Sequence, residues 1–247
     1  MKLIHIMPLG NLSYEYQQDM HMFLTHLVEK YPAYAEVARN CPGFKILDNS
    51  LIELGGSVDM ERVHDAALAL GADEIVLPDV FLNGPKTIES IESALEWLHA
   101  KYPRKNWPFR LMAVAHGANE QEWVDCYRDL LEMPEIDTVG IPKILAKMHP
   151  QGRPYFVNTY CRLDQKEHHL LGLWYSFMEL QEYKEPKLIR SCDTALQAFF
   201  RVNSLNPIWA VRPDGYTIDL EKETAPKMTF QHGFSMQLQK ETTRNDS

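Results

Sequence analysis

Three aspartates in this sequence each close a short apolar run: Asp48 after FKIL, Asp79 after EIVLP and Asp193 after LIRSC. A further run ends in His116 and Gly117, and another carries Gly140. One aspartate in such a place is explained by capping of the next helix. Three gathered at one end of a sheet are not, because unpaired carboxylates repel and are costly to desolvate. A shared site uses that arrangement, with one carboxylate ionised as nucleophile and others holding protons or accepting ligand N–H groups. Glycines beside them allow close approach of a flat ligand. Carboxylates with a histidine also suit magnesium or manganese, as in a metal-dependent barrel hydrolase. Against that use, no HxH or HxxxH pair falls on an element in metal spacing, and His168 and His169, adjacent on an expected strand, point to opposite faces. No metal and no cofactor is expected.

These residues need a scaffold that brings strand ends together. The apolar runs are 2–7, 44–48, 74–79, 110–117, 138–142, 169–173, 188–193 and 207–211, rich in Ile, Leu and Val with little alternation. Strands buried on both faces read that way. Between them lie amphipathic stretches predicted as helices: Tyr16 to Val28; Met60 to Leu70, capped by Asp59 and stopped by Gly71; Pro85 to Leu98; and Glu120 to Leu131. Eight such units in succession predict an α/β fold, a (β/α)8 TIM barrel over 1–235, whose active site lies at the strands' C-terminal ends. The polar stretch 236–247 reads as a disordered tail. The alternative, an open doubly wound sheet, lacks a GxGxxG after any early strand.

The chain's 247 residues and 45% hydrophobic content fit one such domain. No stretch approaches a membrane span, and the N-terminal run reads as a strand, with no signal peptide. Cys41, Cys126, Cys161 and Cys192 form no patterned pair and read as core or free thiols, which points to the cytoplasm. The net charge of −9 argues against an indiscriminate polyanion binder. Local basic patches remain: Lys101, Arg104 and Lys105; Lys143 and Lys147; Arg201 with Arg212.

From ILDNSLIELGG (46–56) through GADEIVLPDV, VAHGANEQEW, VGIPK and HHLLGL to SCDTA (191–195), the sequence resembles the tRNA-guanine transglycosylase family, and more closely its short bacteriophage-type members that act on DNA guanine. The resemblance implies a TIM barrel and a base-exchange reaction through a covalent aspartyl–sugar intermediate. Asp193 matches the family's nucleophile, Asp48 the acid/base aspartate at the mouth, and Asp79 the aspartate that reads the base through its N–H edge. His116 stands where the family has a glutamine for the base carbonyl, Gly140 where a backbone group meets the base, and Gly117 and Asn49 flank these positions. A homodimer is a further expectation from the family.

The chain departs from the family in three places. The zinc subdomain is absent, as in the phage-type members, which moves the expected polymer from tRNA, the alternative, to DNA. Asn49, Ser50, Leu51 and Ile52 replace a glycine pair and a base-stacking aromatic, and His116 replaces glutamine. The incoming base is expected to be a 7-deazaguanine, which presents the same edge as guanine. A non-catalytic base- or nucleic-acid-binding partner of the same fold is the reading from another class; an aspartate at position 193 argues for activity.

Overall fold

The computed structural model describes residues 1–102, 106–202, 211–212 and 218–223. Eight parallel strands form one sheet: β1 (Lys2–His5), β2 (Met20–Leu24), β3 (Phe44–Asp48), β4 (Glu74–Val76), β5 (Arg110–Val114), β6 (Thr138–Pro142), β7 (Glu167–Leu171) and β8 (Ile189–Thr194). The hydrogen-bonded order runs β1-β8-β7-β6-β5-β4-β3-β2, so the sheet curls into a TIM barrel with a seam between β1 and β2. Gln18 bridges that seam. Its Oε1 accepts from the His5 N–H at 2.7 Å and its Nε2 donates to the His5 carbonyl at 2.9 Å, which satisfies backbone groups that a strand ladder would otherwise pair.

The helices are α1 (Thr25–Lys30), α2 (Pro32–Asn40), α3 (Leu51–Leu54), α4 (Met60–Leu70), α5 (Gly84–Lys101), α6 (Glu120–Glu132), α7 (Gly152–Tyr160) and α8 (Leu196–Val202). Their ends follow side-chain chemistry. Asp59, Asn83 and Asn119 accept from the N–H groups of Arg62, Lys86 and Glu122, and Gly71 takes the left-handed φ of 72° that stops α4. The main core lies between sheet and helices and includes Trp123, Tyr127 and Phe156.

Inside the barrel the strands stack in tiers. At the strand starts Arg190 donates to Glu74 Oε2 at 2.5 Å while Thr138 donates to Glu74 Oε1 at 2.6 Å, which closes that end. Above it Ile4, Met22, Ile46, Val76, Met112 and Val114 form an apolar tier. Side chains alternate faces along a strand, so Asp48, two residues past Ile46, points inward above this tier.

Two expectations are corrected. Tyr16 to Val28 is not one helix: Leu9–Gln17 is a 3-10 segment, Met20–Leu24 is a strand, and only Thr25–Lys30 is helical. All five residues of MHMFL are buried, and a short run buried on both faces has no period that separates strand from helix. Because β2 supplies the missing strand, SCD ends the eighth strand. The expected strand at 207–211 falls mostly outside the described residues, and Val211 belongs to no strand. The stretch 236–247 also lies outside them. The four cysteines are buried and free. Among the described residues no helix is long and apolar enough to cross a membrane.

Candidate functional site

The C-terminal ends of the strands open into a cavity of about 770 Å³, in the range of small-ligand sites. Asp48, Asp79 and Asp193 all line it, together with Asn49, His116 and, from α3, Glu53.

Asp193 lies on β8 two residues beyond Ser191, on the same inward face. His169 is the register partner of Ser191 on β7. Its Nδ1 meets Ser191 Oγ at 2.8 Å and its Nε2 donates to Asp193 Oδ1 at 3.0 Å. The Gly172 N–H donates to the same oxygen at 3.0 Å, from a backbone whose φ of 66° suits glycine. Asp193 Oδ2 has no hydrogen-bond partner among the described residues. Behind this arrangement the fully buried Arg153 donates to the carbonyls of Leu171 at 3.1 Å and Gly172 at 2.7 Å, and pairs with Glu179 at 2.6 Å. The Leu171–Gly172 peptide is thus held from both ends, its C=O by Arg153 and its N–H by Asp193.

Asp79 lies in the loop after β4, three residues past the end of the strand. Asn49 Nδ2 donates to its Oδ1 at 2.8 Å, and His116 Nε2 donates to its Oδ2 at 2.7 Å. Ser57 Oγ accepts from the Asp79 N–H at 3.1 Å and donates to its carbonyl at 2.6 Å. Each carboxylate oxygen keeps a lone pair. Asn49 itself is 1% exposed and fully engaged, with Nδ2 also on the Leu77 carbonyl at 2.7 Å and Oδ1 accepting from the Leu51 N–H at 3.0 Å. It holds Asp79 in place. His116 Nδ1 is buried without a hydrogen-bond partner among the described residues.

Asp48 ends β3, and its Oδ2 accepts from the Ser50 N–H at 2.7 Å. Ser50 makes that bond from a left-handed φ of 61°, a strained conformation for a residue with a Cβ, costing about 1–3 kcal/mol. Its Oγ meets His26 Nδ1 at 2.8 Å. Burial pushes the Asp48 carboxyl well above the usual carboxylate range, and the charges of Glu53, Asp79 and Asp193 push it further, against the Ser50 bond. Burial also raises Glu53, with Asp193 adding to the rise and Lys143 opposing it.

The two glycines expected beside the ligand, Gly117 and Gly140, are both closely packed. A Cβ on Gly117 would lie 2.3 Å from the Trp123 backbone nitrogen, so this glycine lets the loop after β5 press on α6, and it does not line the cavity. A Cβ on Gly140 would lie 2.5 Å from Leu171 Cδ1 and 3.0 Å from Val114 Cγ2; those two side chains line the cavity in its place.

His169, Gly172 and Arg153 were not singled out from the sequence as parts of the site. His168 and His169 do face opposite ways, His168 meeting Tyr127 Oη at 2.8 Å behind the sheet. The signal for His169 was that same alternation, which puts the second histidine on the face that Asp193 shares. Among the described residues no three His, Cys, Asp or Glu side chains are grouped to hold a metal ion. No family model and no curated protein matches the sequence.

Proposed function

We propose that the protein is a base-exchange transglycosylase that replaces guanine in DNA with a 7-deazaguanine, through a covalent bond between Asp193 and the sugar. The observation that carries this reading is the unequal treatment of three carboxylates around one cavity. Asp193 has Oδ1 pinned by His169 and Gly172 and Oδ2 without a partner among the described residues. Asp48 is raised toward its protonated form. Asp79 is fixed at both oxygens with a lone pair left on each.

Asp193 Oδ2 bonds to the sugar C1′ as the bond from C1′ to guanine N9 breaks, through an oxocarbenium-like state that the carboxylate stabilises. The departing base takes its proton from the Asp48 carboxyl. The incoming base returns one proton to Asp48 as its ring nitrogen attacks C1′ and releases Asp193. Asp79 accepts from the N1–H and amino group of either base, and would be left unpaired by a base that lacks them. His116 orients Asp79 for that contact through its Nε2. Reaching C1′ requires the nucleotide to leave its stack, which is cheapest in single strands.

The test incubates the protein with guanine-containing DNA and labelled 7-deazaguanine. Wild type incorporates label, Asp193→Ala does not, and intact-mass analysis of the trapped complex places the nucleic acid on Asp193. No incorporation by wild type, or equal incorporation by Asp193→Ala, ends the proposal. Competition by tRNA that exceeds that of single-stranded DNA reassigns the polymer.

A further inference from the structure

The cavity mouth is lopsided. One lip exposes Ile52, Leu54 and Phe81, with the acidic Glu53 among them. The other lip carries Trp174 within a ring of cations: Lys147 Nζ lies 4.3 Å from the indole centroid, the Arg212 guanidinium 5.8 Å and Lys143 Nζ 5.9 Å. The Arg212 N–H donates to the Tyr175 carbonyl at 2.7 Å, which ties this segment to the residue beside Trp174. All four side chains line the cavity.

Three cations around one ring concentrate positive charge at the mouth of a cavity in a chain of net charge −9. Burial and the charge of Arg212 hold the Lys143 amine below its ordinary range, against the charges of Asp193 and Glu53. A flat aromatic in the same place adds a stacking surface, and cations with an aromatic are the combination that single-stranded nucleic acid uses. The acidic and apolar lip opposite offers phosphate nothing.

We propose that a single nucleic-acid strand crosses the mouth on the side of β6 and β7, with a backbone phosphate held by Lys143, Lys147 and Arg212 and the base next to the extruded nucleotide stacked on Trp174. This rests on the base-exchange reading for the extruded nucleotide, while the binding surface itself does not depend on the reaction.

Binding of a dye-labelled single-stranded oligodeoxynucleotide to the full chain, followed by anisotropy across salt concentrations, tests it. Lys147→Ala lowers the slope of log K against log salt by about 0.7, the loss of one phosphate contact. Trp174→Ala binds at least about 5-fold more weakly with the slope unchanged, and Trp174→Phe recovers most of the loss. Thermal unfolding confirms that each variant folds, and the exposed Lys147 carries the test should Trp174→Ala not. A slope unchanged in Lys147→Ala, or wild-type affinity in folded Trp174→Ala, overturns the proposal. Wild type that binds with the expected slopes but incorporates no deazaguanine removes the reaction and leaves the lip. Wild type that exchanges bases while both variants bind normally removes the lip alone.

Discussion

Asn49→Asp changes one atom's chemistry and almost nothing of its shape. The native Nδ2 donates twice, to the Leu77 carbonyl at 2.7 Å and to Asp79 Oδ1 at 2.8 Å. An ionised carboxylate there turns both donations into contacts between acceptors, while the bond from the Leu51 N–H survives. The lost bond to a neutral carbonyl is worth about 1 kcal/mol and the one to a charged carboxylate about 1.5–3 kcal/mol, so the penalty at pH 8 is about 3 kcal/mol before repulsion is added. The new carboxyl, buried beside Asp79, has a folded-state pKa above its unfolded value. The part of the penalty due to ionisation is therefore absent below the unfolded pKa, about 3.9, and grows as pH rises from there through the folded one. Protonation restores one donor, so at most one of the two bonds returns. Urea denaturation followed by tryptophan fluorescence, at pH 8 and pH 4.5, measures the difference from wild type. Asn49→Ala, which adds no titrating group, is the comparator whose penalty stays level. Equal stability of Asn49→Asp and wild type at pH 8, or the same penalty at both pH values, refutes the claim that Asn49 holds Asp79.

Gly117→Ala places a Cβ 2.3 Å from the nitrogen and 2.7 Å from the Cα of Trp123, backbone atoms that cannot swing aside. It is expected to cost about 2–3 kcal/mol, read as a Tm drop of about 5–10 °C, and a variant as stable as wild type contradicts the packing role. Asp48→Asn keeps an acceptor for the Ser50 N–H but removes a carboxyl whose folded pKa is raised. Wild type loses stability as pH rises from the unfolded carboxylate pKa through that raised value, so the variant gains over wild type at pH 8 and not at pH 4, by about 1.4 kcal/mol per pKa unit. Denaturation at the two pH values checks the sign, and the same variant is expected to lose base exchange.

Elements with their own punctuation were the legible ones. Met60–Leu70 begins and ends where Asp59 and Gly71 say it should, because cap and stop are local chemistry. β2 was not legible, because it runs into α1 without a turn residue and is buried on both faces, so the join left no mark in the sequence. The three aspartates announced a shared cavity through strand-end position alone. The partners that differentiate them did not: Gly172 reaches Asp193 through a backbone N–H, and Arg153 acts from α7 on carbonyls, so neither residue type suggests its contact. Gly117 and Gly140 show the converse. A glycine marks a close approach, and only the neighbours at 2.3 and 2.5 Å identify a protein atom as what approaches.

The proton inventory of the cavity sorts its acids without reference to any relative. A carboxylate with donors on both oxygens, as Asp79 has, is fixed in orientation, and suits recognition. One with two donors on a single oxygen is oriented yet leaves the other oxygen's electrons available, which is what a nucleophile needs; of the three aspartates, Asp193 has that pattern among the described residues. One with a single donor, burial and three acidic neighbours is pushed toward its neutral form, and Asp48 is that group. Lowering the charge at Asp48 in turn reduces the repulsion among the carboxylates of one cavity. The arrangement is therefore interdependent: neutralising Asp193 removes one of the charges that raise Asp48, so its loss also shifts Asp48 toward its ionised form.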